Sequence, residues 1–302
     1  MTEPFFSVII PVYNREQTIA ETLESIASQE FRDFEVIVVD DGSTDSTHQI
    51  VKQYSWVKLI EQSNAGPGVA RNSGATEARG KYIAFLDSDD LWFPWTLQNY
   101  NDSIKSNNAL FVSGEGVEFC GDKVPVVSDT VPLISRYPDY LKAGATGLWL
   151  GTCGVAIERQ TFVITGGFVT KHINSEDSDL WIRLGLASPF IRIKSPAAFA
   201  YRRASNSATK DLRKTVAGGF HLLDSERAGM YPGGASRRSD REEILGTHVR
   251  PICLECLKQK NLGDAWKLYI RSLRLLYRTR RFRFLLGTPL IAFLSLLRTV
   301  RR

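Results

Sequence analysis

Two carboxylates, Asp87 and Asp89, stand one residue apart at the end of the apolar run KYIAFLD. At that spacing they can share one divalent cation and the diphosphate it carries. Hard cations such as Mg2+ or Mn2+ take carboxylate oxygens and keep waters and phosphates as further ligands. Asp-Ser-Asp-Asp is also ordinary turn and helix-cap material, so position decides between the two readings. Asp40-Asp41-Gly42-Ser43 ends another apolar run and offers acceptors for a nucleobase N–H or ribose hydroxyls, with Gly42 permitting the tight turn. Asn64-Ala65-Gly66-Pro67-Gly68 leads into a segment with Arg71, a donor for bases or phosphates. It lacks the Lys-Ser/Thr end of a Walker loop and the spacing of a dinucleotide fingerprint. Glu176-Asp177 forms a second acidic pair. One of these carboxylates could take a proton from a substrate hydroxyl, and burial or a like charge beside it would make it a better base. Acids at a helix start also complement the helix dipole. His48, His172, His221 and His248 form no pair at ligand spacing, and no Ser or Cys nucleophile motif is visible, so triad hydrolysis is unsupported.

Strongly patterned segments must hold these residues. FFSVIIPVY (5–13) is a continuous apolar run rich in β-branched residues, as in a strand buried on both faces. Asn14 is a candidate N-cap for a helix carrying Ile19, Leu23 and Ile26. FEVIVVD (34–40), VKLIE (57–61) and KYIAFLD read as further strands. Between them fall a helix capped by Asp45 or Ser46 and another from the Gly-Pro-Gly of 66–68 to about Arg79. This alternation predicts a parallel sheet with helices on both faces. Ligands on such sheets bind outside the carboxyl ends of the strands. The residues there are Tyr13-Asn14, Asp40 to Ser43, Asn64 to Gly68, and Asp87 to Asp90, four polar clusters on one edge. Further along, the pattern predicts a helix around 95–106, short strands near 109–119, a buried strand CGVAI (153–157), a helix over 176–187 and strands towards Tyr201.

The 302 residues are 43% hydrophobic and 24% charged, which fits a globular chain of one large domain or one domain with an appendage. The net charge of +5 is uneven: residues 251–302 hold 12 Lys+Arg against Glu255 and Asp264, leaving an acidic balance of −5 in 1–250. An acidic body argues against a nucleic-acid partner. Four cysteines are too few for a disulfide scaffold, and Cys253-x-x-Cys256 without a second pair reads as two small apolar residues on a helix. The start, MTEPFFSVIIPVYN, has neither a basic n-region nor a cleavage site, so no signal peptide is expected and a reduced, cytoplasmic setting is the default. In the tail, Leu262, Trp266, Tyr269, Leu273 and Leu276 form an apolar stripe beside Lys267, Arg271, Arg274 and Arg278. The apolar run 284–297 is too short to span a bilayer. Two readings stay open for this tail: peripheral contact with an anionic membrane on its inner face, or a helical hairpin packed on the body.

SVIIPVYN (7–14), VVDDGSTD (38–45), NAGPGVARN (64–72), FLDSDD (85–90) and SEDSDLWIRL (175–184), in that order, together resemble an inverting family 2 glycosyltransferase. The resemblance implies a GT-A fold: α/β, a Rossmann-like, mostly parallel sheet flanked by helices, here with a helical C-terminal extension. It implies a catalytic domain over 1–220, with a nucleotide-sugar half over about 1–110 and an acceptor half over about 111–220, and a basic helical region over 221–302. By the same resemblance Asp40 and Asp41 contact the uracil and ribose of a nucleotide sugar, and Pro11, Tyr13, Arg71 and Ser88 line the nucleotide side. Asp89 holds the metal, Mn2+ or Mg2+, with Asp87 as its ribose- and metal-side partner. Asp177 is the catalytic base with Glu176 beside it. The implied activity is a hexosyl-type transfer from a UDP-sugar to a hydroxyl of a saccharide or lipid-linked acceptor, in cell-surface polysaccharide or glycolipid assembly. Where many relatives carry a His near YRRASNS (201–207), this chain has Ala204 and Ser205, with Arg202 or Arg203 as candidate diphosphate contacts. Two rival readings are a nucleotidyltransferase on a similar sheet and a non-catalytic carbohydrate-binding relative. The first needs a Gly-rich basic loop where PVYNRE stands, and the second should have lost acids that are all present.

Overall fold

A computed structural model describes residues 3–121, 123–128, 130–171, 173–203 and 211–300, with positions 292–300 described by their backbone alone. Ala204, Ser205 and His172 lie outside the described residues. In chain order the elements begin β1 (Phe6–Val12), α1 (Ile19–Ala27), β2 (Phe34–Asp40), α2 (Thr47–Val51), β3 (Val57–Glu61), α3 (Pro67–Glu77) and β4 (Tyr82–Phe85). There follow β5 (Leu91–Trp92), α4 (Thr96–Asn107), β6 (Phe111–Gly114), β7 (Gly116–Phe119), β8 (Leu133–Tyr137), α5 (Tyr140–Gly144), β9 (Val155–Glu158), α6 (Arg159–Thr165) and α7 (Glu176–Arg183). The chain continues through β10 (Phe190–Ser195), β11 (Phe199–Arg202), α8 (Leu212–Arg227), α9 (Arg238–Lys258), α10 (Leu262–Arg278) and α11 (Phe282–Val300). Contacts divide it into two compact units. The first is Met1–Asp139, Leu150–His172 and Ala187–Ser205; the second is Tyr140–Trp149, Ile173–Leu186 and Asn206–Arg302. These units interleave along the chain, whereas the sequence reading draws one boundary at 220.

The first unit is built on an eight-stranded sheet of order β3-β2-β1-β4-β9-β6-β10-β8, beside a three-stranded sheet β5-β11-β7. Strand β1 is buried along its whole length, as its unbroken apolar run requires. It pairs in parallel with β2 from Phe6–Phe34 to Val12–Asp40 and with β4 from Phe6–Tyr82 to Ile9–Phe85. Pairing with β4 thus stops two residues before Pro11, which has no N–H to donate. The strand order reverses between β1 and β4, and on sheets of this kind ligands bind outside the carboxyl ends of the strands at such a point. Helix α3 lies tight on β1: a Cβ at Gly74 would stand 2.5 Å from Ile9 Cγ2.

One expectation changes, and one strand takes a direction that the sequence left open. Asn14 does not cap α1. It takes a left-handed φ of 51° and uses its side chain on the next loop, and the helix starts later, after Thr18. Strand β9 is buried as expected but runs antiparallel to both β4 and β6. Between β6 and β9 the chain passes through β7, β8 and α5, and it returns antiparallel to β6, a pairing that requires no crossover helix.

The second unit is helical. Gly218 of α8 brings its backbone so close to the segment before α7 that an added Cβ would stand 1.7 Å from the Asn174 carbonyl oxygen. The apolar arc of α10 is wider than one stripe. Its buried residues are Ala265, Leu268, Tyr269, Ser272, Leu275 and Leu276, while Trp266 and Leu273 of the expected stripe face outward. Cys253 and Cys256 are buried on α9, as two apolar helix residues should be. No described helix is long and apolar enough to cross a membrane.

Candidate active site

The loops after β1 and β2 are stitched together at the sheet's carboxyl edge. Asn14 N–H donates to Ser43 Oγ at 3.0 Å, and Thr44 N–H donates to Asn14 Oδ1 at 2.8 Å. Arg15 N–H reaches Thr47 Oγ1 at 2.7 Å. Gly42 sits in this seam with a φ of 81°, open to glycine at little cost. Asp40 is buried and accepts Ser43 N–H at 2.8 Å, with His48 Nδ1 3.5 Å from its other oxygen. Asp41 is also buried, and it accepts from Gln62 Nε2 (2.7 Å), Ala65 N–H (2.9 Å) and Gly66 N–H (2.8 Å). A carboxylate has about four acceptor positions, so Asp41 holds the loop between β3 and α3 and retains room for about one more donor. Tyr13 projects from the end of β1 and is exposed, whereas Pro11 is buried.

The Asp87–Asp90 loop follows the end of β4, the neighbour of β1 in the sheet. Helix α1 fixes it from below: Thr18 Oγ1 donates to the Ser88 carbonyl and Thr22 Oγ1 to the Asp90 carbonyl, both at 2.9 Å. Arg71 is buried and donates to Asp87 Oδ1 at 2.6 Å, with its guanidinium 5.3 Å from the centre of the Phe168 ring. It therefore orients Asp87. Arg15 approaches Asp89 at 3.3 Å and links the β1 loop to the β4 loop. Burial, and then the Asp87 charge, push the Asp89 pKa up, against the pull of Arg15 and Arg202. Asp90 is fully buried. It accepts Arg202 N–H at 2.8 Å and the Cys153 thiol at 2.9 Å, and burial followed by the Asp87 charge pushes its pKa well up.

This donor set fits a hard divalent cation. Ligand atoms of Asp87, Asp90 and Cys153 lie within 4.8 Å of one another. Burial and the neighbouring carboxylates push the Cys153 thiol pKa well up, so it stays protonated. A protonated soft donor does not suit Mg2+ or Mn2+. The partly accessible carboxylates Asp87 and Asp89 do, and a cation would relieve the crowding that weakens Asp89 as an acid. The buried Asp90–Cys153 pair is the floor of this loop.

Asp177 and Glu176 belong to the second unit, in the first turn of α7. Asp177 Oδ1 accepts Ser178 N–H at 2.6 Å and Ser178 Oγ at 3.1 Å, and Ser178 Oγ lies 3.4 Å from His248 Nδ1 on α9. Burial pulls the His248 pKa down, and the nearby Asp177 charge opposes that. Asp179 anchors the helix: it is buried and accepts from Arg183 Nε (2.7 Å), His221 Nε2 (3.1 Å) and Tyr231 OH (2.9 Å). Burial alone would raise its pKa, but these donors outweigh burial and hold the carboxyl below its ordinary range.

The structure thus gathers Pro11, Tyr13, Asp40, Asp41, Arg71, Asp87, Ser88 and Asp89 around the carboxyl edge of one sheet. Sequence reasoning passed over Arg15, Thr18, Thr22, Asp90, Cys153 and His248. Arg15 adjoins a quoted motif, and Asp90 lies within one, but nothing local marks their partners. Arg202 Nε donates to the Asp89 carbonyl, another of its nitrogens pairs with Glu21, and its guanidinium lies 4.6 Å from the Phe119 ring centre. Arg203 pairs with Glu118.

The family model described as Glycosyl transferase family 2 matches residues 7–157. The poly(ribitol-phosphate) beta-N-acetylglucosaminyltransferase TarS of Staphylococcus aureus is 38% identical over 139 residues, 43% of this chain and 24% of its own length. The UDP-Glc:alpha-D-GlcNAc-diphosphoundecaprenol beta-1,3-glucosyltransferase WfgD of Escherichia coli is 30% identical over 187 residues, 61% of this chain and 71% of its own. The chain spans about a quarter of the length of the first curated relatives it matches. Among solved structures, S. aureus TarS 1-349 in complex with UDP-GlcNAc aligns with a TM-score of 0.72 at 20% identity, covering 96% of this chain and 88% of that one. The mannosyltransferase PcManGT of Pyrobaculum calidifontis, in complex with GDP-Man and Mn2+, aligns at 0.53 and 19% identity over 98% and 88%. The shared fold is the GT-A arrangement of a mostly parallel sheet with flanking helices.

Proposed function

This chain belongs to glycosyl transferase family 2, and from that footing we propose that it moves a hexosyl group from a UDP-sugar to an acceptor hydroxyl, with inversion and with Mn2+ or Mg2+ as cofactor. The observation that carries the reading is the reversal of strand order between β1 and β4, where the nucleotide-side residues converge on one sheet edge. Two relatives support the donor class by their names, since WfgD uses UDP-Glc and TarS is solved with UDP-GlcNAc. The WfgD name also supports a lipid-linked diphosphate acceptor, and the TarS name a polymer acceptor. Cell-surface polysaccharide or glycolipid assembly, at the cytoplasmic face of a membrane, is the setting that goes with such acceptors.

In this reading Tyr13 offers a face for the base, and Asp41 and Asp40 accept from the uracil N–H and the ribose hydroxyls. Arg71 keeps Asp87 turned towards the ligand, and Asp87 and Asp89 would hold the cation. When bound, that cation supplies positive charge that offsets the leaving diphosphate. Asp177 accepts the proton of the acceptor hydroxyl, with Glu176 beside it. The acceptor oxygen bonds to the anomeric carbon as the bond from that carbon to the diphosphate oxygen breaks, and UDP departs. One displacement inverts the centre without a covalent enzyme intermediate.

A thermal-shift panel of nucleotides and nucleotide sugars, with and without Mn2+, tests the donor and the metal together. UDP and one UDP-sugar should raise the midpoint only when Mn2+ is present. Asp89→Asn should lose that metal-dependent rise. Asp177→Asn should keep it and lose transfer by a factor of about 10²–10⁴, the usual worth of a general base. Near-normal transfer by Asp177→Asn would remove Asp177 from the role, and pyrophosphate release from a nucleoside triphosphate would replace the whole reading.

A further inference from the structure

We propose that the second unit docks on an anionic phospholipid surface through the outward face of α10 and the start of α11. Trp266, Ile270, Leu273 and Tyr277 are exposed and spaced 4, 3 and 4, so they form one stripe along α10. This stripe is distinct from the apolar face that α10 buries within its own unit. It continues across the turn, where the Tyr277 and Phe282 rings meet edge to face at 6.1 Å. Leu286 and Leu290 then extend it along α11, with Leu286 78% exposed. A contiguous run of large apolar side chains on a surface marks an interaction site.

Charge identifies the occupant. Each apolar residue of the α10 stripe is followed directly by a cation: Lys267, Arg271, Arg274 and Arg278. One residue is about 100° of helix, so a basic stripe runs alongside the apolar one. Lys267, Arg271, Arg278 and Arg281 have acidic partners in Asp264, Asp224, Glu242 and Glu243. Among the described residues no acid lies within ion-pair reach of Arg274, Arg280 or Arg283. Between positions 262 and 291 there are seven Lys+Arg and only Asp264 as an acid. A second copy of this face would set those cations against each other. An anionic headgroup layer complements them, while Trp266 and Tyr277 are of the type that settles at the level of the headgroups. The surface lies in the second unit and does not depend on which sugar, or whether any sugar, is transferred.

Full-length protein would be sedimented with vesicles of phosphatidylcholine containing phosphatidylglycerol, and with phosphatidylcholine alone. Binding is expected to the first, to weaken steeply with salt, and to be near background with the second. Brominated lipid should quench fluorescence in the native protein but far less in Trp266→Phe. Arg274→Gln, Arg280→Gln and Arg283→Gln should each lower vesicle affinity about fivefold, and Ile270→Ser with Leu273→Ser should abolish binding. All six sites lie on the surface, and circular dichroism would verify that the variants fold. Three results would overturn the proposal: no binding by folded protein to the anionic vesicles, undiminished binding by the stripe variants, or a concentration-dependent dimer in light scattering that Leu273→Ser dissolves. The last result would assign the face to a second copy of the chain.

Discussion

Asp177 shares its surroundings with His248 and Tyr140, two groups far away in the chain. Burial depresses the His248 pKa below its ordinary 6.5, so the ring is neutral beside the carboxylate at neutral pH. An unfolded chain takes up this proton first as pH falls, so the fold loses stability from about pH 6.5 downward until the native ring also titrates. A difference of one pH unit between folded and unfolded pKa corresponds to about 1.4 kcal/mol. The native protein should therefore lose a few degrees more of melting temperature between about pH 7 and 5 than His248→Gln does. Equal slopes in the two proteins would assign the acid sensitivity to other groups. The acids were legible beforehand because each stands at a strand end or a helix start, where local pattern locates it. Arg15 against Asp89, and Cys153 against Asp90, were not, because their partners are 63 or more residues away in sequence.

Among the elements, the approach of α8 to the segment before α7 has the clearest test. Gly218→Ala would drive a methyl into the Asn174 carbonyl, three residues before Asp177. Overpacking of this kind costs about 1–3 kcal/mol, and transfer should fall with stability because the base moves with its helix. Gly219→Ala is the control. Its methyl would meet Ile252 Cδ1 at 3.1 Å, the mobile end of a side chain, and it gains helix propensity of up to about 1 kcal/mol. Melting temperatures and transfer rates of the two variants should separate; matching values would mean that the close approach has no bearing on the base. Strands β1 to β4 were readable from their runs to within a residue or two. The direction of β9 was not, because a buried strand carries the same pattern either way. The outward turn of Trp266 and Leu273 was hidden for a related reason: periodicity finds an apolar arc but not how much of it neighbours cover.

For the whole molecule, the two interleaved units each contain buried sulfur. Cys153 lies in the floor of the first unit's acidic loop, and Cys253 and Cys256 lie in the α9 core of the second, while Cys120 is exposed. Burial holds the Cys253 and Cys256 thiols up at about 12 and about 11 and pushes Cys153 well above its ordinary value. A thiol kept protonated and enclosed is inert to alkylating reagents until its surroundings open. Cys120 should therefore label within seconds in native buffer, and the three others only by local or global opening. Mass spectrometry of partly labelled protein at rising denaturant would then time each unit separately, without any engineered probe. Added UDP with Mn2+ should slow Cys153 and leave the α9 pair unchanged. The thiol that completes the Asp90 contact is thus also a natural clock for how often the floor of the site comes apart.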